Sequence, residues 1–197
     1  MPYLEVSLNG SLFACAGTPH AGVLTASVIV MTTGGAYLAI SAMDTVDGQR
    51  IFSNWPSHLL AENDELEIEL TAEGKRTEPI SRASSPELPI AEELARIRDE
   101  FETIQTDMPL QAHVEGDVSV SELLNLGQLE IRVPPLSEVR AFAVGTEQLQ
   151  AVWEYTRNGC KFEVDALSVQ ADGSTKGRRW ICESLEFNQR VRVRYVT

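Results

Sequence analysis

Residues 27–44, SVIVMTTGGAYLAISAMD, align with residues 151–168, AVWEYTRNGCKFEVDALS, at an offset of 124. Val28 meets Val152, Thr32 meets Thr156, Gly35 meets Gly159, Ile40 meets Val164 and Ala42 meets Ala166. Each window holds two apolar-rich runs around a glycine-bearing turn (Gly34-Gly35 or Asn158-Gly159), the pattern of an antiparallel hairpin. Working outward, one inserted residue moves the offset to 125 and the match resumes. Asp47-Gly48 then meets Asp172-Gly173, Trp55 meets Trp180 and Asn63 meets Asn188, while Leu66, Ile68 and Leu70 meet Val191, Val193 and Tyr195. At the front, Leu4-Glu5-Val6 overlays Leu129-Glu130-Ile131. Turns, a tryptophan and a closing strand recurring in one order imply an internal duplication. Trp55 and Trp180 in unlike surroundings, on strands of different connectivity, would count against it.

Residues 3–8, about 11–16, 25–33, 36–43 and 65–71 are rich in Val, Ile, Leu, Thr and Tyr, with period-two stretches, and read as strands. The expected fold is mainly β (α+β): two tandem, pseudo-symmetric antiparallel sandwich or roll domains joined by an amphipathic helix. The domains are residues 1–71 and 128–197, with an acidic linker over 72–127. A unit of about 70 residues is marginal alone, so the two copies should pack on each other or on the linker.

The first part of that linker, 72–88, is polar and proline-containing. A helix is expected over about 86–106, with Ser85 as cap and Glu87, Glu92 and Glu93 at its positive end. Ile90, Leu94, Ile97, Phe101 and Ile104 form one apolar stripe, and Pro109 ends it. Residues 119–126 suit a second short helix.

Net charge is −13, distributed as −7 over 1–71, −7 over 72–127 and +1 over 128–197. That balance argues against nucleic acid, which needs cations to displace phosphate counterions. No apolar run approaches a membrane span, and the start MPYLEVSLNG lacks the layout of a signal peptide. Cys15, Cys160 and Cys182 have no C-x-x-C spacing and suggest reduced thiols in a bacterial cytoplasm.

Chemistry has little to work with. His20, His58 and His113 have no metal-ligand spacing. Cys160 and Cys182 read as buried, inert thiols. Gly-Thr-Pro-His-Ala-Gly (17–22) lacks a P-loop lysine. No catalytic residue, metal or cofactor is expected. Two charged features stand out instead. The strand Glu65-Leu-Glu67-Ile-Glu69-Leu has the counterpart Arg190-Val-Arg192-Val-Arg194-Tyr, with apolar positions kept and the alternate face reversed in charge. Those faces either stay solvated or meet, within the chain or between subunits. Lys176, Arg178, Arg179 and Trp180 read as a basic patch on a loop after a turn, suited to an acidic partner or a phosphate.

Leu-Glu-Val-x-Leu-Asn-Gly (4–10), Gly-Val-Leu-Thr-Ala (22–26), Asp-Glu-Leu-Glu-Ile-Glu-Leu (64–70) and Ala-Glu-Glu-Leu (91–94) occur here in order. In them the first 105 or so residues resemble a family of small, uncharacterised bacterial β-rich proteins. The resemblance implies a bacterial origin and a unit ending near residue 71, and carries no activity. The functional expectation is a non-enzymatic protein-interaction module, an accessory or immunity-type protein, holding a basic partner on acidic surfaces. One alternative is an enzyme with its site between the repeats, where Asp44, His20, His58, Asp165 and Arg179 converge. The other is a structural homo-oligomer.

Overall fold

The computed structural model describes residues 2–20, 22–30, 35–86, 127–145, 148–169 and 172–196. Among them there are strands, turns and loops but no helix. In the first half the strands are β1 (Tyr3–Leu8), β2 (Ser11–Gly17), β3 (Val23–Val30), β4 (Ala36–Val46), β5 (Gln49–Asn54), β6 (His58–Leu60), β7 (Glu65–Thr71) and β8 (Ser81–Pro86). In the second they are β9 (Gln128–Arg132), β10 (Ala141–Ala143), β11 (Gln148–Thr156), β12 (Gly159–Val169), β13 (Thr175–Leu185) and β14 (Arg190–Val196). The helical stripe Ile90–Ile104, the expected helix over about 86–106 and the second helix at 119–126 fall outside the described residues or at their margin.

Two antiparallel sheets form. Sheet A runs β10-β9-β14-β7-β1-β2, and sheet B runs β13-β12-β11-β3-β4-β5-β8, with β6 also on β4. Alternation in the sequence becomes alternation in burial: β3 reads half-buried, buried, four times over. The buried side chains of both sheets form one core cluster, with Trp153, Phe162, Leu4 and Leu38 among its largest members.

The stretches expected as separate domains supply opposite halves of the same two sheets. Sheet A is crossed at β7·β14, pairing Glu69 with Arg190, Glu67 with Arg192 and Glu65 with Arg194. Sheet B is crossed at β3·β11, pairing Val30 with Leu149 and Ala26 with Trp153. From the first seam outward the order is β7, β1, β2 on one side and β14, β9, β10 on the other. From the second it is β3, β4, β5 and β11, β12, β13. Asn63 N donates to Tyr195 O at 2.8 Å, and Asn188 N donates to Leu70 O at 2.7 Å, so each half clasps the other's closing strand. Both asparagines are left-handed, with φ of 68 and 66°.

Several readings change. The offset of 124 holds for β4 over β12, whose buried residues coincide, but not for β3 over β11. Val28 is buried whereas Val152 is only half-buried, and the residue buried one place on is Trp153. Because strand faces alternate, a one-residue slip exchanges inside for outside. By burial the offset is 125 along β3, 124 along β4 and 125 again beyond it, so the first half has one residue more before β4 and the second half one residue more after β12. Trp55 and Trp180 occupy a like place in unlike surroundings. Residues 55–57 oppose only two residues of β4, while Trp180 is the extra residue of a bulge opposite Val164 and Asp165. Trp55 is buried and its Nε1 donates to Thr77 O at 2.9 Å, whereas Trp180 is half-buried beneath Arg178.

Part of the polar stretch 72–88 is ordered against the sheets. Thr77 N donates to Cys15 O at 2.9 Å, and β8 then pairs along β5, with Ser85, expected as a helix cap, opposite Arg50. Asp47-Gly48 and Asn9-Gly10 both have positive φ at each residue, 50 and 71°, then 51 and 75°, the geometry of tight primed hairpins.

Candidate functional site

The six charged residues of the closing strands come together. Arg190 Nε donates to Glu69 Oε2 at 2.5 Å and its Nη1 to Glu67 Oε1 at 3.0 Å. Arg192 Nη2 donates to Glu67 Oε2 at 2.7 Å, and its Nε lies 3.3 Å from Glu65. Arg194 bonds Glu130, the nearly buried carboxylate that Arg132 also reaches at 3.1 Å. Arg190 and Arg192 each touch a direct partner and a diagonal one, which makes one lattice across β7 and β14, and Arg194, Glu130 and Arg132 make a second group across β14 and β9. The hydrogen bond from Arg192 is the main reason the Glu67 carboxyl lies below its usual range. Burial alone would raise Glu130, but the bonds from Arg194 and Arg132 outweigh it and hold it low.

The basic patch lies on a strand, not a loop: Lys176, Arg178, Arg179 and Trp180 all belong to β13. β13 terminates sheet B, and among the described residues no strand pairs with its outer edge. The corresponding end of the sheet, β5, is covered by β8. Arg178 stacks on Trp180, its guanidinium carbon 3.4 Å from the ring centroid. Arg179 Nε donates to Asp165 Oδ1 at 2.8 Å, with Glu163 at 3.4 Å. Cys182, expected to be buried, is exposed on the same strand and hydrogen-bonds Glu163 at 3.2 Å, a contact that raises its pKa. Cys160 is buried as expected, and burial pushes its thiol up to about 12.

Two cavities adjoin β13. One of about 420 Å³ lies between Gln148, Gln150, Asp165, Leu167, Gly177 and Arg179. The other, of about 550 Å³, is walled by the loop Val133–Arg140 and by Glu183, Ser184 and Leu185. That loop joins β9 to β10, where the first half has only the Asn9-Gly10 turn. Neither cavity includes a residue from the first half.

The residues proposed for an enzyme site between the repeats are distributed elsewhere. Asp44 accepts from Gly22 N at 3.0 Å, His58 lies 3.8 Å from Asp64 and edge-on to Phe13, and Asp165 holds Arg179. His20 is exposed in its turn. Among the described residues no group of three or more His, Cys, Asp or Glu side chains can hold a metal ion. No helix there is long and apolar enough to cross a membrane. Sequence reasoning found the basic residues but missed Leu167, Gly177 and the 133–140 loop. Residues 174–179, STKGRR, carry no apolar alternation, so nothing in the sequence marked the start of β13 at Thr175.

No family model, no curated protein and no solved structure matches the chain.

Proposed function

We propose that this protein is an internally duplicated, non-enzymatic interaction module that binds another protein. The duplication is supported by the matching strand order outward from both seams and by the reciprocal Asn63 and Asn188 contacts. The unlike surroundings of Trp55 and Trp180 count against it, although both interrupt the ladder at the corresponding place opposite β4 and β12. The binding reading rests on one observation: among the described residues no strand covers the outer edge of the 11-residue strand β13, at the place where β8 covers β5. A strand edge is a row of unused donors and acceptors, and a native fold either protects it or uses it.

The lattice on sheet A tells against a second use. Glu65, Glu67 and Glu69 are occupied by arginines of the same chain, so a basic partner would be held by other acids, and a homo-oligomer through the charged strands has nothing left to pair. A basic partner remains the second reading, favoured by the net charge of −13. Three free cysteines support a reducing compartment such as a cytoplasm, and the bacterial origin rests on the sequence resemblance alone.

A photoreactive amino acid at Ser184, exposed on β13, tests the reading when compared with one at Arg82 on β8. The expected result is one defined protein adduct at Ser184 whose purified partner binds the chain stoichiometrically. Equal, heterogeneous labelling at both positions would sink it.

A further inference from the structure

We propose that the edge of β13 takes an extended acidic segment of another protein, seating one apolar side chain over Gly177. This deepens the binding reading and rests on it. The argument comes from the rows of side chains that run across sheet B. Gln148 pairs with Leu167, which pairs with Gly177; the next row on that face is Gln150, Asp165 and Arg179. Directly opposed residues share a face, so both rows lie on the side away from the core, since the intervening Leu149 and Ala166 are buried. Gly177 leaves the first row one side chain short. The gap is the 420 Å³ cavity, and Leu167, 37% exposed, forms its apolar wall.

A strand added outside β13 would continue both rows. Opposite Gly177 it places a side chain that reaches Leu167, and opposite Arg179 one that meets a guanidinium already shared with Asp165 and Glu163. The alternate residues, opposite Lys176 and Arg178, meet two further cations. The fit is therefore acid, acid, apolar, acid in antiparallel order against residues 179 to 176. The first half gives the structural precedent, because β8 adds to β5 in this way. Its strand lacks the cations: β5 carries Arg50 alone. Charge complementarity thus selects an acidic occupant over a neutral one, and over a second copy, whose own β13 would bring the same three cations.

The probe is an acetylated, amidated hexapeptide, threonine–glutamate–glutamate–leucine–glutamate–threonine, titrated into the whole protein while amide exchange is followed. Binding with slowed exchange confined to β13 is expected. N-methylation of alternate peptide nitrogens, in either register, should weaken binding at least tenfold in one register, because main-chain bonds carry the addition. Lys176→Glu with Arg178→Glu should also weaken it at least tenfold. Gly177→Val should do the same while leaving the fold intact, since a Cβ there meets only Leu167 Cδ2 at 3.6 Å. Protection at β2 or β10 instead of β13, indifference to both N-methylated forms, or no binding at millimolar peptide overturns the proposal. So does a dimer whose β13 amides are already protected. A stoichiometric partner cross-linked elsewhere would sink this inference and leave the binding reading standing.

Discussion

The two seams that join the halves differ on their outer faces. At β3·β11 the outward pairs are Ile29 with Gln150, Ser27 with Val152 and Thr25 with Glu154, with one charge among them. At β7·β14 every outward pair is a glutamate facing an arginine. Inside, both are apolar: Leu66, Ile68, Val191 and Val193 in one, Leu24, Ala26, Leu149 and Trp153 in the other. Each of the larger inner side chains contributes about 1.5–3 kcal/mol, whereas an exposed ion pair contributes about 0.2–1 kcal/mol. Packing therefore holds both seams. The ions on sheet A make one of them sensitive to charge, salt and pH, and the other should be indifferent.

The largest break in that comparison comes from reversing one side of the ionic seam. Arg190→Glu, Arg192→Glu and Arg194→Glu together place glutamate against glutamate along the strand and leave the buried Glu130 with Arg132 alone. The expected loss is about 4–6 kcal/mol, enough to unfold a marginal protein. Thermal melting checks it. Adding Glu65→Arg, Glu67→Arg and Glu69→Arg should recover the part of the loss that lies between β7 and β14 but not the part at Glu130, which then faces a carboxylate at position 194; no recovery at all would mean the lattice is ornament on an apolar seam.

On the neutral seam the sensitive residue is inside. Trp153 is fully buried and packs on Phe162 with ring centroids 4.6 Å apart. Trp153→Ala should cost about 3–5 kcal/mol by the transfer and cavity terms. Denaturant melts at 0.05 and 1 M salt, about a four- to five-fold change in Debye length, should give the same cost here and different costs for the arginine variants.

This contrast shows what the sequence disclosed. Period-two alternation revealed which face of each strand is buried, and the reversed charges of 65–69 and 190–194 were legible as a pair of faces that could meet. Which strands are neighbours was not legible. Glu67 and Arg192 are directly opposed although 125 positions apart, and alternation carries no information about a partner at that separation. Polar strands were missed for a related reason: β5 and β8, QRIFSN and SRASSP, sit at a sheet end and bury little, so their composition resembles a linker. The candidate site was half legible. Cations announce themselves, but a groove made by the missing side chain of Gly177 appears only when its row is known.

Acid should separate the seams more gently. Glu67 and Glu130 have folded pKa values below the ordinary 4.5, so each contributes stability that is fully present above that value and is lost as pH falls through its folded value. Stability should therefore decline below about pH 4.5. Arg192→Gln removes the main partner of Glu67 and should cost about 1–2 kcal/mol at neutral pH, but less in acid. Melting temperature against pH for the two proteins should converge as pH falls. Curves that stay parallel would place the cost in packing of the arginine stem.

The smallest expected effect asks whether the two halves are energetically as well as topologically alike. Asn63 and Asn188 hold φ of 68 and 66° and donate their backbone N–H across the ionic seam, one at each end. Alanine keeps that N–H but disfavours the left-handed conformation by about 1–2 kcal/mol, while glycine accepts it freely. Asn63→Ala and Asn188→Ala should therefore each cost about 1 kcal/mol, less in any loop that relaxes, and the two glycine variants should be close to neutral. Equal costs mean that both ends of β7·β14 are clasped with the same grip. A cost at Asn63 alone would make Asn188 free to relax, which the short Phe187–Gln189 turn allows more readily than the segment between β6 and β7, where Asp64 is also tied to Asn9 at 2.7 Å. Urea melts of the four variants resolve differences of this size, and the sign of the Asn63-minus-Asn188 difference identifies the end from which the seam opens.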